Sequence, residues 1–100
     1  MATTYKRIES VYKTTEILTF LAHQKEGASG ADIARAVDLP KGTVMCHLAT
    51  LEEVGFVQQV NGAYRIGMKL AIFWARAKSN LEGEITRKQR DLDSISIGGI

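Results

Sequence analysis

The sequence predicts a mainly helical domain with one small β-hairpin, on three observations. Apolar residues recur at three- and four-residue spacing over several stretches. Asn61-Gly62 separates two short runs rich in β-branched and aromatic residues. The only proline, Pro40, stands between two helical stretches rather than inside one.

Taken in order, residues 9 to about 25 carry Val11, Leu18, Leu21 and Ala22, with Thr14 and Thr15 filling the stripe of an amphipathic helix. Gly27 stops it. Ser29 is placed to cap a second, short helix whose Ile33, Ala34 and Val37 share a face, and Asp32 lies in its first turn, where the helix dipole favours an acid. That helix ends near Asp38. Pro40 reads as the first residue of a third helix, because a first turn leaves its amide hydrogens unpaired anyway; Val44, Leu48 and Leu51 are its buried stripe, and it ends before Gly55.

The period then changes. Residues 56–60 and 63–66 read as two strands, with Asn61 and Gly62 supplying the positive φ angles of a type I′ turn. After Gly67 the helical period returns, and Leu70, Phe73, Trp74, Ala77 and Leu81 form an apolar stripe. Gly83 is a candidate break, Ile85, Leu92 and Ile95 mark a further amphipathic stretch, and residues 96–100 read as a flexible, frayed tail.

Composition narrows the function. At 100 residues the chain is one domain, burying roughly 60 to 65 per cent of its unfolded surface, too small for a large enzyme scaffold. With 45% hydrophobic and 24% charged residues it has the composition of a folded globular domain. The lone Cys46 cannot close an internal disulfide, which points to a reducing, cytoplasmic setting. No apolar run approaches the roughly 18 residues of a membrane span, so neither a signal peptide nor an anchor is expected. The net charge of +2 is modest, but Arg65, Lys69, Arg76 and Lys78 lie in a stretch without a single acid, which suits a solvated face or a polyanion.

Three helices, a hairpin and a further helix, with only a few residues between the second and third, make a winged helix-turn-helix: a three-helix bundle plus wing, followed by a linker helix. A short turn holds the third helix across the second, leaving one face free for a major groove, and the hairpin lies beside it. The residues carry a resemblance as well. LPKGTVMCHLATLEEVGFV followed by NGAYRIG resembles the DNA-binding domain of the IclR family of bacterial transcription regulators, through Leu39-Pro40-Lys41, Thr43-Val44, Leu48, Thr50-Leu51-Glu52, Gly55, Tyr64 and Gly67. The likeness covers about the first 80 residues. With it the chain divides into a winged helix-turn-helix DNA-binding domain over residues 1–67 and linker and dimerisation helices over 68–95, ahead of the tail read from the residues at 96–100.

The departures bear on mechanism. Family members usually have Ser, His and Arg where this chain has Gly42, Met45 and Cys46, Leu where it has His47, and Gly where it has Asp38. An Arg paired to guanine is worth about 1–3 kcal/mol of base discrimination, and residues 41–50 hold one formal charge, Lys41. The candidate contacts to double-stranded DNA are Ser29, Lys41, Gly42, Thr43, Met45, Cys46, His47, Thr50, Asn61, Arg65 and Lys69. Lys41, Ser29, Arg65 and Lys69 would clamp phosphates. Thr43 either bonds a phosphate or simply caps its helix or packs, Met45 meets a thymine methyl or another protein, and His47 suits the edge of the core better than base reading. Lys6 and Arg7 are a candidate basic arm.

Leu70, Phe73, Trp74, Ala77 and Leu81 either close over the bundle or, as the resemblance implies, pair two chains into a homodimer. The expected protein is a bacterial or phage regulator associated with the nucleoid. It is no enzyme, since no phosphate-binding loop or nucleophile arrangement is present, and neither a cofactor nor a metal site is expected: Cys46 and His47 are badly placed to share an ion. A thiol switch at Cys46 is a minor possibility. The effector domain of family members is expected to be missing, in a stand-alone binder or a fragment, so no small-molecule effector is inferable. The rival function is a winged helix used as a protein-interaction module, suggested by the uncharged face around Met45 and Cys46.

Overall fold

The computed structural model describes residues 4–99, with side chains described to residue 96. Its elements are α1 (Glu9–Ala22), α2 (Gly30–Val37), α3 (Lys41–Glu53), β1 (Val57–Val60), β2 (Ala63–Ile66) and α4 (Met68–Gly99). The chain divides into two compact units, Met1–Leu70 and Ala71–Ile100.

The first unit has one core. Ile17 and Leu21 of α1, Ile33, Ala34 and Val37 of α2, and Val44, Leu48 and Leu51 of α3 meet Val57 and Tyr64 of the hairpin. The stripes expected on α2 and α3 are the buried ones. On α1 the buried line is shifted: Ile17 is fully buried, whereas Val11 is 55% exposed. Val11 and Leu18 are seven residues apart and so share a line, but that line runs about 100° from Ile17, along the margin of the buried face.

Local chemistry sets the ends of α2 and α3. The Ser29 hydroxyl oxygen accepts the Asp32 amide at 3.1 Å and caps α2, as its position suggests. Asp38 closes α2 in the left-handed region at φ 56°, and the next amide, Leu39, bonds the Ala34 carbonyl at 3.1 Å. Pro40 lies one residue outside α3 rather than within it. Its ψ of 144° is extended, while its carbonyl accepts the Val44 amide at 3.1 Å.

The hairpin pairs Val57 with Ile66, Gln58 with Arg65, Gln59 with Tyr64 and Val60 with Ala63. Asn61 and Gly62 turn it at φ 52° and 81°, the two positive angles of a type I′ turn. β1 starts one residue later than the sequence suggests, because the Phe56 amide closes α3 on the Leu51 carbonyl at 2.9 Å. A third, one-residue strand is unforeseen: Ala28 bridges Tyr64, with Ala28 N–H donating to Tyr64 O at 2.9 Å and Tyr64 N–H to Ala28 O at 2.8 Å. Gly27, at φ 83°, permits this approach, since a Cβ there would stand 2.6 Å from the Tyr64 carbonyl oxygen.

α4 is a single helix, so Gly83 does not break it. A helical glycine costs only about 1 kcal/mol relative to alanine, which flanking helix formers such as Leu81, Glu82 and Glu84 absorb. Residues 96–99, read from sequence as a frayed tail, continue the helix, each further residue adding a hydrogen bond to a formed nucleus. Ile100, the last residue of that tail, lies outside the described residues.

Candidate nucleic-acid interface

The face of α3 away from Val44, Leu48 and Leu51 is open: Gly42, Thr43, Cys46, Ala49 and Thr50 are exposed there, and Lys41 is exposed at the helix start. No side chain caps the helix start, so Thr43 is not its cap. The first amides of α3 are therefore left without a side-chain partner, and Lys41, its first residue, is exposed, a combination suited to a phosphate. Nothing approaches the Cβ position of Gly42, which leaves the backbone uncovered at that point.

The two flanks of this face are partly committed to the fold. On the α2 side, Met45 keeps 36% of its surface, but its sulfur covers Gly30, whose Cβ, if present, would lie 2.6 Å from Sδ. Changing Gly30 to alanine is expected to cost about 1 kcal/mol by overpacking, and adding Met45→Ala should remove that cost. Urea denaturation of the two single variants and the double variant checks this; strict additivity would show that Met45 is not seated there.

On the α1 side, His47 is half-buried with Nδ1 2.7 Å from Thr14 Oγ1. Thr14 has one hydroxyl proton, and the Ser10 carbonyl takes it at 2.8 Å. The network thus assigns the proton between Thr14 and His47 to the ring, with Nδ1–H donating to the Thr14 hydroxyl oxygen. This placement matches the core-edge reading of His47. Thr14 and Gly30, the residues that seat His47 and Met45, carry no sequence signal that singles them out.

Hydroxyl protons also sort the remaining candidates. Ser29 accepts the Asp32 amide and so keeps its own proton for a phosphate oxygen. Thr50 donates to the Cys46 carbonyl at 3.0 Å, so it offers an incoming group only acceptor lone pairs. The Cys46 thiol is free and exposed.

The hairpin brings further cations to this unit. Arg65 is exposed on the outer face of β2 across from Gln58, and Asn61 is exposed at the tip. The Ala28–Tyr64 bridge places Ser29 and Arg65 each one residue from the same junction. Lys69 is anchored near the end of α3, its amide donating to the Gly55 carbonyl at 3.2 Å. Ion pairs among the described residues are Arg7–Glu9, Lys13–Glu16 and Arg35–Asp32, so none of them neutralises Lys41, Arg65 or Lys69. Arg7 of the supposed basic arm is in a different position. Glu9 bonds its guanidinium at 2.7 Å and raises its pKa further, by hydrogen bond first and charge second, while the Tyr12 ring lies 4.2 Å below it.

Residues 10–61 match the model of the IclR helix-turn-helix domain. The chain is also similar to solved structures. One is an IclR transcriptional regulator from Alicyclobacillus acidocaldarius, with 28% identity and a TM-score of 0.67 over 72% of this chain and 30% of the other. A second, from Brucella abortus, is an IclR family transcriptional regulator with 22% identity and a TM-score of 0.65 over 81% and 33% of the two chains. A third, the repressor BlcR of Agrobacterium tumefaciens, has 24% identity and a TM-score of 0.62 over 73% and 29%. The last two speak for the fold alone. The chain spans about a third or less of the length of each. No curated protein matches it.

Proposed function

Because the chain belongs to the IclR helix-turn-helix family, we propose that it is a cytoplasmic DNA-binding transcription regulator that docks α3 in a major groove as a homodimer, through contacts mainly to phosphates. The observation that carries this reading is the set of unneutralised cations, Lys41, Arg65 and Lys69, on elements tied to the two ends of α3. Lys41 is the one formal charge among residues 41–50, so sequence discrimination by α3 is shallow and groove shape supplies part of it. Family membership, rather than the lack of a pocket, makes the protein a regulator and not an enzyme. Among the described residues no helix is long and apolar enough to cross a membrane.

Pairing through Leu70, Phe73, Trp74, Ala77 and Leu81 would present two recognition helices to a two-fold site. The protein-interaction alternative loses support from Met45, whose sulfur is occupied by Gly30. Titration of labelled duplexes tests the reading. A selected duplex is expected to bind about tenfold tighter than a random one, a small ratio for a specific regulator, and Trp74→Glu to weaken both. A ratio near one thousand, or a Trp74→Glu variant that binds and sediments like the parent, would contradict it.

A further inference from the structure

We propose that α3 reads the C5-methyl groups of thymines, so that the duplexes this chain prefers carry A·T pairs where α3 enters the major groove. The inference rests on the DNA reading above and names the feature of the duplex that this helix recognises.

At 100° per residue, Gly42, Thr43, Cys46, Ala49 and Thr50 form a strip about 120° wide centred on Cys46, with the buried Val44 and Leu48 about 160° away on either side. All five are exposed, and none has a side chain longer than its γ atoms. A helix with its side chains is about 10–12 Å across, close to the roughly 12 Å width of the major groove, so a leading face this low lets the backbone approach the base edges. The longer side chains bordering the strip are engaged elsewhere: the Met45 sulfur covers Gly30 of α2, and His47 Nδ1 lies 2.7 Å from Thr14 Oγ1 of α1. Lys41 is exposed at the start of α3, and Glu52 and Glu53 at its end, so phosphates draw in the N-terminal half, which carries the strip, and repel the C-terminal end.

The strip holds no Arg, Lys, Asn, Gln, Asp or Glu, the side chains that pair with guanine, adenine or cytosine edges. Thr50 spends its hydroxyl proton on the Cys46 carbonyl at 3.0 Å, which leaves the Thr43 hydroxyl and the weakly donating Cys46 thiol as the strip's donors. Guanine, which displays two acceptors in the major groove, is therefore poorly served. What the strip does offer is apolar: the Thr43 and Thr50 methyl groups, the Ala49 Cβ and the Cys46 sulfur. The thymine C5-methyl is the one apolar group that unmodified base pairs present in that groove. Met45, the thymine-methyl candidate from sequence, sits at the border of the strip with its sulfur on Gly30, and the role passes to the shorter side chains beside it.

Fluorescence anisotropy at one low salt concentration tests this with three forms of a duplex selected by the chain from random sequence: unmodified, with deoxyuridine for every thymidine, and with 5-methylcytosine for every cytosine. Covering one methyl group is worth about fourfold in affinity. The deoxyuridine form should therefore bind at least about fourfold more weakly, and the 5-methylcytosine form no more tightly than the unmodified one. Thr43→Ser/Cys46→Ser/Ala49→Ser turns three exposed apolar contacts into hydroxyls and so should fold like the parent. In that variant the ratio between thymine and uracil duplexes should fall toward one. Equal binding of the thymine and uracil forms overturns the proposal, as does a ratio that survives in the triple variant, which would place the effect in duplex shape. A gain from 5-methylcytosine as large as that from thymine overturns it too. Equal binding would leave the DNA reading standing, whereas no binding of any form at low salt would remove both.

Discussion

Replacing Gly27 by alanine is expected to lower the unfolding free energy by about 3 kcal/mol, a large part of the roughly 5–15 kcal/mol that holds a domain together. Two effects combine. A side chain at φ 83° costs about 1–2 kcal/mol for the left-handed backbone. The new Cβ would also stand 2.6 Å from the Tyr64 carbonyl oxygen, so the two bridge hydrogen bonds must lengthen, each worth about 0.5–1.5 kcal/mol. Urea denaturation measures the loss, and a value below about 1 kcal/mol would mean that the hairpin is not held by this bridge. Since the bridge also fixes the strand that carries Arg65, duplex affinity should fall together with stability.

The largest functional effect is expected from removing the unneutralised cations together. Each phosphate contact contributes about 0.9 to the slope of log affinity against log salt, or roughly 1 kcal/mol near 0.1 M. Lys41→Ala/Arg65→Ala/Lys69→Ala should therefore lose about 10² to 10³ in duplex affinity and flatten the slope by roughly 3. All three side chains are exposed, so the variant should unfold like the parent. Equal weakening on random and selected duplexes is the mark of phosphate contacts; loss on the selected duplex alone would assign base reading to one of these residues.

Much of this was legible in the sequence. The cap at Ser29, the turn at Asn61-Gly62 and the core stripe of α3 follow from local rules that a few residues satisfy by themselves. The buried line of α1 was less so, because Val11 and Ile17 are equally apolar and only the packing of α2 and the hairpin selects between them. The Ala28–Tyr64 bridge had no pattern to detect, being one residue long. Gly83 looked like a break because the rule for glycine is local, whereas helix continuity is cooperative along α4. At the candidate site the residue types were readable but their commitments were not. The sequence does not show that the Met45 sulfur lies over Gly30 or that the Thr50 hydroxyl spends its proton on the Cys46 carbonyl.

The central claim is a backbone-dominated grip on double-stranded DNA, and the salt dependence of duplex binding by the unmodified chain tests it most directly. The account expects binding at low salt, with log affinity falling by roughly 3 for each tenfold rise in salt per bound chain. Affinity that does not change with salt, or no duplex binding at low salt, would contradict it.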